Sequence, residues 1–409
     1  MGIYRELARN EGVFRILFSQ LTARFPFGML SIIVLLHMQQ QFGEYTAAGI
    51  VLATQSVGQA ISGPLSSRLM GRFGMRRVLW ITSVLCTGFI IVIAFVHLPL
   101  AITALISFAI GLATPPITPA VRTLYPRLVP GNQISALFSL DAAAQELIWV
   151  LGPVIAVFVA AQFGTAVGLT VAAAFMLGGG AWFILSRPVG VVKIPPSKGG
   201  LGAVLKRPTV IISTVVGFFF VASFAAIEAG IVRAFAPVEG GGGHSSIESG
   251  IVLAVFAAGS LVGGLIVGHR PLRPWSLVIR IGIVLAGTLA CLVSLNIWWL
   301  SIVLFIGGLG TAPTFAGISS MIGSTIKFSE TAEAFGWIGT GQLVGVATGS
   351  AVAGVAIDAM GANGAIIVSS ALITIAGLVA LATTRWVPDL KGRDIEQPPE
   401  TGTITLPLP

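Results

Sequence analysis

Apolar residues in this chain run together in long blocks, neither alternating nor forming one-sided stripes, and the blocks have the length of a bilayer. A hydrocarbon core about 30 Å thick takes about 20 residues of helix at about 1.5 Å per residue. Twelve stretches meet that length: 14–38, 46–67, 78–96, 99–121, 137–161, 165–186, 208–235, 247–268, 275–295, 297–325, 332–358 and 363–385. Charged residues gather in the intervals between them. The pattern predicts an all-α membrane protein with twelve transmembrane helices.

The pattern also repeats. Gly49-Ile50-Val51-Leu52-Ala53 recurs as Gly250-Ile251-Val252-Leu253-Ala254, and further along the same stretch Gly58 matches Gly259, Gly63 matches Gly264 and Arg68 falls opposite His269. A second echo sets Gly111-Leu112-Ala113-Thr114-Pro115 against Gly308-Leu309-Gly310-Thr311-Ala312-Pro313, and Gln145-Glu146-Leu147 against Gly341-Gln342-Leu343. Six spans and then six more, in matching order, predict two pseudo-symmetric six-helix bundles, the construction of a transporter. The expected division is a bundle over 1–186, a linker over 187–207, a second bundle over 208–387 and a disordered tail over 388–409. Arg187, Pro188, Lys193, Pro195, Pro196, Lys206 and Arg207 make the linker a semi-extended, basic segment with room for a short interfacial helix near 200–206. Gly240 to Gly243 predict a hinge-like external connection over 237–244.

Composition agrees with a membrane chain: 55% of residues are hydrophobic and 9% charged, against about 25% charged in a soluble domain. With both termini placed in the cytoplasm, only Arg24 and Arg233 of the 23 Lys and Arg residues fall outside cytoplasmic turns, tails and adjoining helix ends. The net charge of +8 then reports orientation and contact with anionic lipid, not nucleic-acid binding. A multi-pass protein of the cell membrane, acting as a monomer, is expected. Arg5, Arg9 and Arg15 precede a first helix too long for a cleavable signal. Cys86 and Cys291 lie inside spans, so no external disulfide is expected, and His37, His97, His244 and His269 show no ligand spacing, so no metal or other cofactor is expected. No P-loop and no nucleophile–base constellation is evident, which argues against a nucleotide-driven pump and against an enzyme.

Twelve spans in two parallel halves joined by a basic linker resemble the major facilitator superfamily, over nearly the whole chain to about residue 388. The turn after the second span, Ser67-Arg68-Leu69-Met70-Gly71-Arg72-Phe73-Gly74-Met75-Arg76-Arg77, is similar to that family's loop motif at Arg72, Gly74, Arg76 and Arg77. Ser67 replaces its first glycine and Gly71 its aspartate. The resemblance implies that this turn helps clamp the halves together, with an acid meeting a helix amino terminus across the seam. Here Ser329-Glu330-Thr331-Ala332-Glu333 opens the eleventh span, so Glu330 or Glu333 pairing with Arg72 or Arg76 would replace the lost contact, and Asp141 could meet Arg270 or Arg273. Simple capping of helix ends by these acids is the alternative.

Charges within spans are costly and normally face a cavity with a partner. Arg24 and Glu146 fall at similar depth, about 15 Å from one face, and the resemblance makes the first and fifth helices neighbours, so an Arg24–Glu146 pair is expected. Burial favours the neutral carboxyl and a guanidinium the charged one; substrate displacing the arginine would move a proton. A static pair fixing two helices is the competing reading. Gln20, Gln55, Gln59, Gln145 and Trp149 are further cavity candidates. Glu228 with Arg233, near the far end of the seventh span, reads as a gating pair. Gly152-Pro153 resembles an element of family exporters. The expectation is a secondary transporter that exports a small organic or amphipathic compound in exchange for protons. Two alternatives stand: an uptake permease for a sugar or other small metabolite, and a transporter-like sensor or scaffold that moves nothing.

Overall fold

The computed structural model describes residues 2–10, 12–197, 199–235 and 246–391. The connection over 237–244, His244 and the tail beyond 391 lie outside the described residues. Within them the chain is helical, without strands. The helices are α1 (Gly2–Arg9), α2 (Val13–Phe42), α3 (Tyr45–Phe73), α4 (Met75–Phe95), α5 (Leu100–Leu112), α6 (Ile117–Leu124), α7 (Ile134–Phe163), α8 (Thr165–Ile184), α9 (Arg187–Val191), α10 (Pro208–Ala234), α11 (Ser246–Val267), α12 (Ser276–Ala290), α13 (Ile297–Gly308), α14 (Thr311–Thr325), α15 (Phe328–Met360) and α16 (Ala362–Ala382).

Ten helical segments among the described residues are long and apolar enough to cross a membrane. The other two expected spans correspond to α3, 29 residues long but more polar, and to α12, of 15 residues. Two expected spans are broken. The fourth splits at Thr114-Pro115-Pro116, between α5 and α6, because neither proline can donate a backbone hydrogen bond. The tenth splits at Leu309-Gly310, between α13 and α14. Both breaks fall within the second sequence echo.

Repeated glycines mark repeated packing. A Cβ added at Gly111 would lie 2.0 Å from the Gln55 carbonyl oxygen and 2.7 Å from the Gln59 nitrogen. One at Gly308 would lie 2.4 Å from the Phe256 carbonyl oxygen and 3.0 Å from the Ser260 nitrogen. Gly58 meets the Phe108 carbonyl as Gly259 meets that of Phe305. The α3–α5 and α11–α13 crossings are therefore the same backbone-to-backbone contact, built from corresponding residues.

Most other packing lies within α2–α8 or within α10–α16: α2 on α7 and α8, α4 on α8, α10 on α15 and α16, α12 on α13 and α16. The two groups meet where α3 packs on α15 and where α7 packs on α11 and α14. The end of the molecule where α3 finishes and α15 begins carries Arg68, Arg72, Arg76 and Arg77, and is called the basic end below. There a single apolar core runs through both groups, from Leu7, Leu79 and Phe138 to Phe220, Ile281 and Phe335. Toward the opposite end the core divides: one part holds Met29, Ile33, Ile90 and Met176, another Ile227, Val252, Leu300 and Ile366. The apolar core is joined across the two groups at the basic end and parted between them at the other.

Candidate functional site

Three polar junctions lie at or beside the seam: the first joins α2, α6 and α7 within one group, and the other two cross between the groups. The deepest centres on Asp141, which is fully buried two turns into α7. Its Oδ1 accepts from Arg24 at 3.0 Å, from the Gln20 amide at 3.1 Å and from the Tyr125 hydroxyl at 3.1 Å. Its Oδ2 accepts from Arg122 Nε at 3.1 Å. Gln145, one turn along the same face, offers its carbonyl oxygen to both arginines. Arg24 also donates to Gln20 at 2.9 Å. All but Gln145 are almost inaccessible, and the buried carboxylate is matched by two guanidiniums.

This corrects two expected pairings. Arg24 binds Asp141, not Glu146. Asp141 and Gln145 are four residues apart and share a helix face, whereas Glu146 is turned about 100° away. Asp141 does not reach Arg270 or Arg273, because α7 begins at Ile134 and carries Asp141 into the protein. Arg122, assigned from sequence to a cytoplasmic turn, is 7% exposed; its ring contact with Phe335 of α15, 5.9 Å from the centroid, reaches the other group. The break at Pro115-Pro116 draws it inward, since the segment Leu100–Arg127 as a whole has the length of a span. That double proline was the available signal. Tyr125, within a short 3₁₀ turn, left none.

The second junction is Glu146. Its Oε1 accepts from the Ser260 hydroxyl of α11 at 2.9 Å, and the same hydroxyl oxygen accepts from the Ala312 N–H at the start of α14 at 3.2 Å. Glu146 is half-buried and its partner among the described residues is this neutral hydroxyl. Ser260 was missed from sequence because a lone serine in an apolar span carries no pattern.

The third junction lies at the basic end. Glu333, 2% exposed, holds Arg68 at 3.0 Å with one oxygen and the backbone N–H of Gly202 at 2.7 Å with the other. Arg68 also donates to the Gly199 carbonyl. The expected partners Arg72 and Arg76 are exposed instead; Arg72 lies over Phe73, and Arg76 donates to the Ile184 carbonyl at 3.1 Å. The antiparallel register explains the difference. Thr340 bonds the Ala60 carbonyl at 2.7 Å and Gly336 abuts Gly63, so Arg68, not Arg72, comes opposite Glu333. Glu330 lies 3.6 Å from Arg207. The described residues 192–197 and 199–207 are thus packed on the seam, with Ile194 and Val204 buried and a 3₁₀ turn at Ala203–Lys206, more closely held than a semi-extended linker. Nearby, Ser139 and Tyr4 both donate to the Gly264 carbonyl, and burial pushes the Tyr4 hydroxyl above its usual pKa.

The remaining candidates stand apart. Gln55 and Gln59 lie on the α3–α5 contact, and the Gln55 side-chain oxygen is buried without a hydrogen bond. Trp149 is more than half exposed. Glu228 and Arg233 are both exposed and no ion pair joins them, since five residues set them about 140° apart around α10. Arg270 and Arg273 are exposed at the basic end; the Arg270 carbonyl accepts from buried Arg280 at 3.4 Å. Among the described residues, no group of three His, Cys, Asp or Glu side chains could hold a metal ion.

The family model described as Major Facilitator Superfamily matches residues 16–279 and 243–407. An uncharacterised MFS-type transporter of Sinorhizobium fredii is 25% identical over 284 residues, 65% of this chain and 68% of the relative. Among solved structures, a bacterial homologue of the iron transporter ferroportin, in an outward-facing state with soaked iron, superposes with TM-score 0.69 at 15% identity, covering 91% of this chain and 98% of that one. The human organic anion transporter MFSD10 gives 0.66 at 13% identity over 90% and 98%. The E. coli fucose:proton symporter gives 0.67 at 15% over 90% and 97%. These likenesses establish the fold.

Proposed function

The chain belongs to the major facilitator superfamily, and from that premise we propose a proton-coupled secondary transporter that exports a small amphipathic compound by alternating access. It is a multi-pass membrane protein, and the reading adds twelve spans in two six-helix bundles, residues 1–186 and 208–387, with the basic end and both termini in the cytoplasm. In that orientation the joined end faces inward and the parted end outward, so the arrangement is an outward-facing state.

The observation that carries the proposal is the position of Glu146. It lies twelve residues into α7, ~18 Å along the helix, at mid-membrane and on the seam. Its one described bond runs to Ser260 of the opposite group. Opening the basic end separates α7 from α11 and breaks that bond, so the state of this carboxyl and the conformation of the protein are coupled. Asp141 serves a different purpose. Fixed by two arginines, a tyrosine and a glutamine, its charge is already matched within one group and it acts as a structural anchor for α2, α6 and α7. Gly152, whose added Cβ would lie 2.8 Å from the Gly28 Cα, keeps α2 and α7 moving as one body.

Proteoliposomes carrying a pH-sensitive dye test this reading. A compound that triggers proton flux in the wild type, and none with Glu146→Gln, supports exchange at Glu146. Transport with undiminished proton flux in the variant removes Glu146 from the coupling path. Movement of solute and proton in the same direction replaces export with uptake.

A further inference from the structure

α1 lies outside the membrane-length helices, yet one of its side chains crosses the seam. The helix packs on α2 and α7 and turns into α2 at Gly12, whose φ of +83° and open surroundings suit a glycine corner. Leu7 is fully buried in the shared core, and the Asn10 amide donates to the Gln133 side-chain oxygen at 2.5 Å. From that seat on the first group, Tyr4 reaches the second. Its hydroxyl donates to the Gly264 carbonyl of α11 at 3.3 Å, and its ring meets that of His269 edge-on at 6.0 Å. Arg5, Glu6 and Arg9 face outward, and no ion pair holds them among the described residues. The hold of α1 is therefore neutral: one leucine and two hydrogen bonds.

Gly264 lies in the last turn of α11, where backbone carbonyls run short of helical partners. Its carbonyl also takes the Ser139 hydroxyl of α7, and the approach depends on Gly268, where an added Cβ would strike the Ser139 Oγ. Hydroxyls of the first group thus cap the end of a second-group helix. The repeat supplies a counterpart. It pairs α3 with α11 and sets Arg68 opposite His269. Residues 199–207 lead into α10 as α1 leads into α2, again after a left-handed glycine, Gly202 at φ +81°. Arg68 donates to the Gly199 carbonyl, and Glu333 takes the Gly202 N–H at 2.7 Å. Each group's lead-in segment therefore docks at the same place on corresponding helices, and that helix belongs to the other group.

Resting on the alternating-access reading above, we propose that α1 and residues 199–207 are paired straps that hold the basic end shut, with Tyr4 as the fastening point of the first. α7 and α11 cannot part at that end until Tyr4 leaves Gly264. The α1 strap needs no charge and shares no partner with Arg68 or Glu333, so it is a second, independent fastener. It stays seated on the first group through Leu7 and Asn10 and is ready to fasten again when the end closes.

Closure is read with a cysteine at fully buried Ala334, in the full chain lacking Cys86 and Cys291 and purified in detergent. Its rate of maleimide labelling tracks the fraction of molecules open at the basic end. Tyr4→Phe keeps the ring and removes only the hydroxyl; it should speed labelling about twofold to tenfold, the net worth of one neutral hydrogen bond. Leu7→Ala, which unseats α1, should speed it at least as much. Ala8→Ser, on the exposed face of α1, should change nothing. A cysteine at Ala173, buried in the far-end core of the first group, should stay protected in every variant, which separates opening of one end from general loosening. Combining Tyr4→Phe with Glu333→Gln should multiply their two effects, as expected of sites without a shared partner. Unchanged labelling in Tyr4→Phe overturns the proposal, as does equal acceleration in Ala8→Ser or at Ala173, or a combined variant no faster than Glu333→Gln alone. If Glu333→Gln opens the end and Tyr4→Phe does not, the strap fails and alternating access stands. If no variant exposes Ala334, Glu333→Gln and Gly336→Ala included, the basic end does not open and both readings fall.

Discussion

Asp141 and Arg24 lie 3.0 Å apart, with the carboxylate inaccessible to solvent and the guanidinium nearly so. Removing one partner of such a pair leaves an uncompensated buried charge, at a cost of about 3–5 kcal/mol. Asp141→Asn should therefore lower thermal stability in detergent sharply, because two guanidiniums lose their counter-ion together. Replacing Arg24, Arg122 and Asp141 at once by apolar residues of similar size should recover most of the loss. Unfolding followed by tryptophan fluorescence reads both outcomes. A mild effect of Asp141→Asn would mean the arginines find other partners.

At the basic end, Glu333→Gln should loosen the seam. It weakens a charge-assisted bond to Arg68 and the hold on Gly202, a loss of about 1.5–3 kcal/mol in favour of the opened state. Ala334 is fully buried beside it. A cysteine there, in a background lacking Cys86 and Cys291, should react with a maleimide at least ten times faster in the Glu333→Gln variant. Exchanging the charges, with Arg68→Glu and Glu333→Arg, should restore slow labelling in part, the Gly202 contact remaining lost.

Gly336 allows α15 to touch α3: an added Cβ would lie 2.5 Å from the Gly63 carbonyl oxygen. Gly336→Ala should disfavour the closed basic end and speed labelling in the same assay. Gly339, three residues on, has nothing within 4 Å of an added Cβ. Gly339→Ala should leave labelling unchanged and raise stability by up to about 1 kcal/mol through helix propensity.

The orientation proposed for the chain is checked with two exposed positions at opposite ends. In intact cells an impermeant maleimide should label His97→Cys, while Arg273→Cys should react only after permeabilisation. The reverse result would invert the inside and outside assigned above.

How much of this was legible beforehand follows from the range over which each signal acts. Span positions are local, since a run of apolar residues reports its own solvent; the family and the ten clearly apolar helical segments could be read from it. The pairing of polar side chains is not local. Arg24 and Glu146 stood out as charges within long apolar stretches, but which carboxylate meets the arginine depends on 100° of helix rotation that hydropathy does not record. Arg122 was hidden because a charge just past an apolar run reads as loop, although two prolines before it change the depth it reaches. Ser260 became visible only when α7 and α11 were set side by side. Arg68 was noted as a repeat position and passed over as a partner, because the register of α3 on α15 is fixed by Gly63 and Gly336, which carry no charge.

The paired glycines at 58 and 111, and at 259 and 308, separate scaffold from chemistry. Each crossing is held by backbone meeting backbone, so the side chains one turn away carry none of its geometry. Gln55 and Gln59 occupy in one copy the places that Phe256 and Ser260 occupy in the other. A duplicated framework of this kind can keep the same hinges in both copies while one copy exchanges amides for a ring and a hydroxyl. Two mechanically matched arms then present unlike surfaces to whatever lies between them, and the cargo of such a protein can change by substitution at a few positions without any redesign of how it moves.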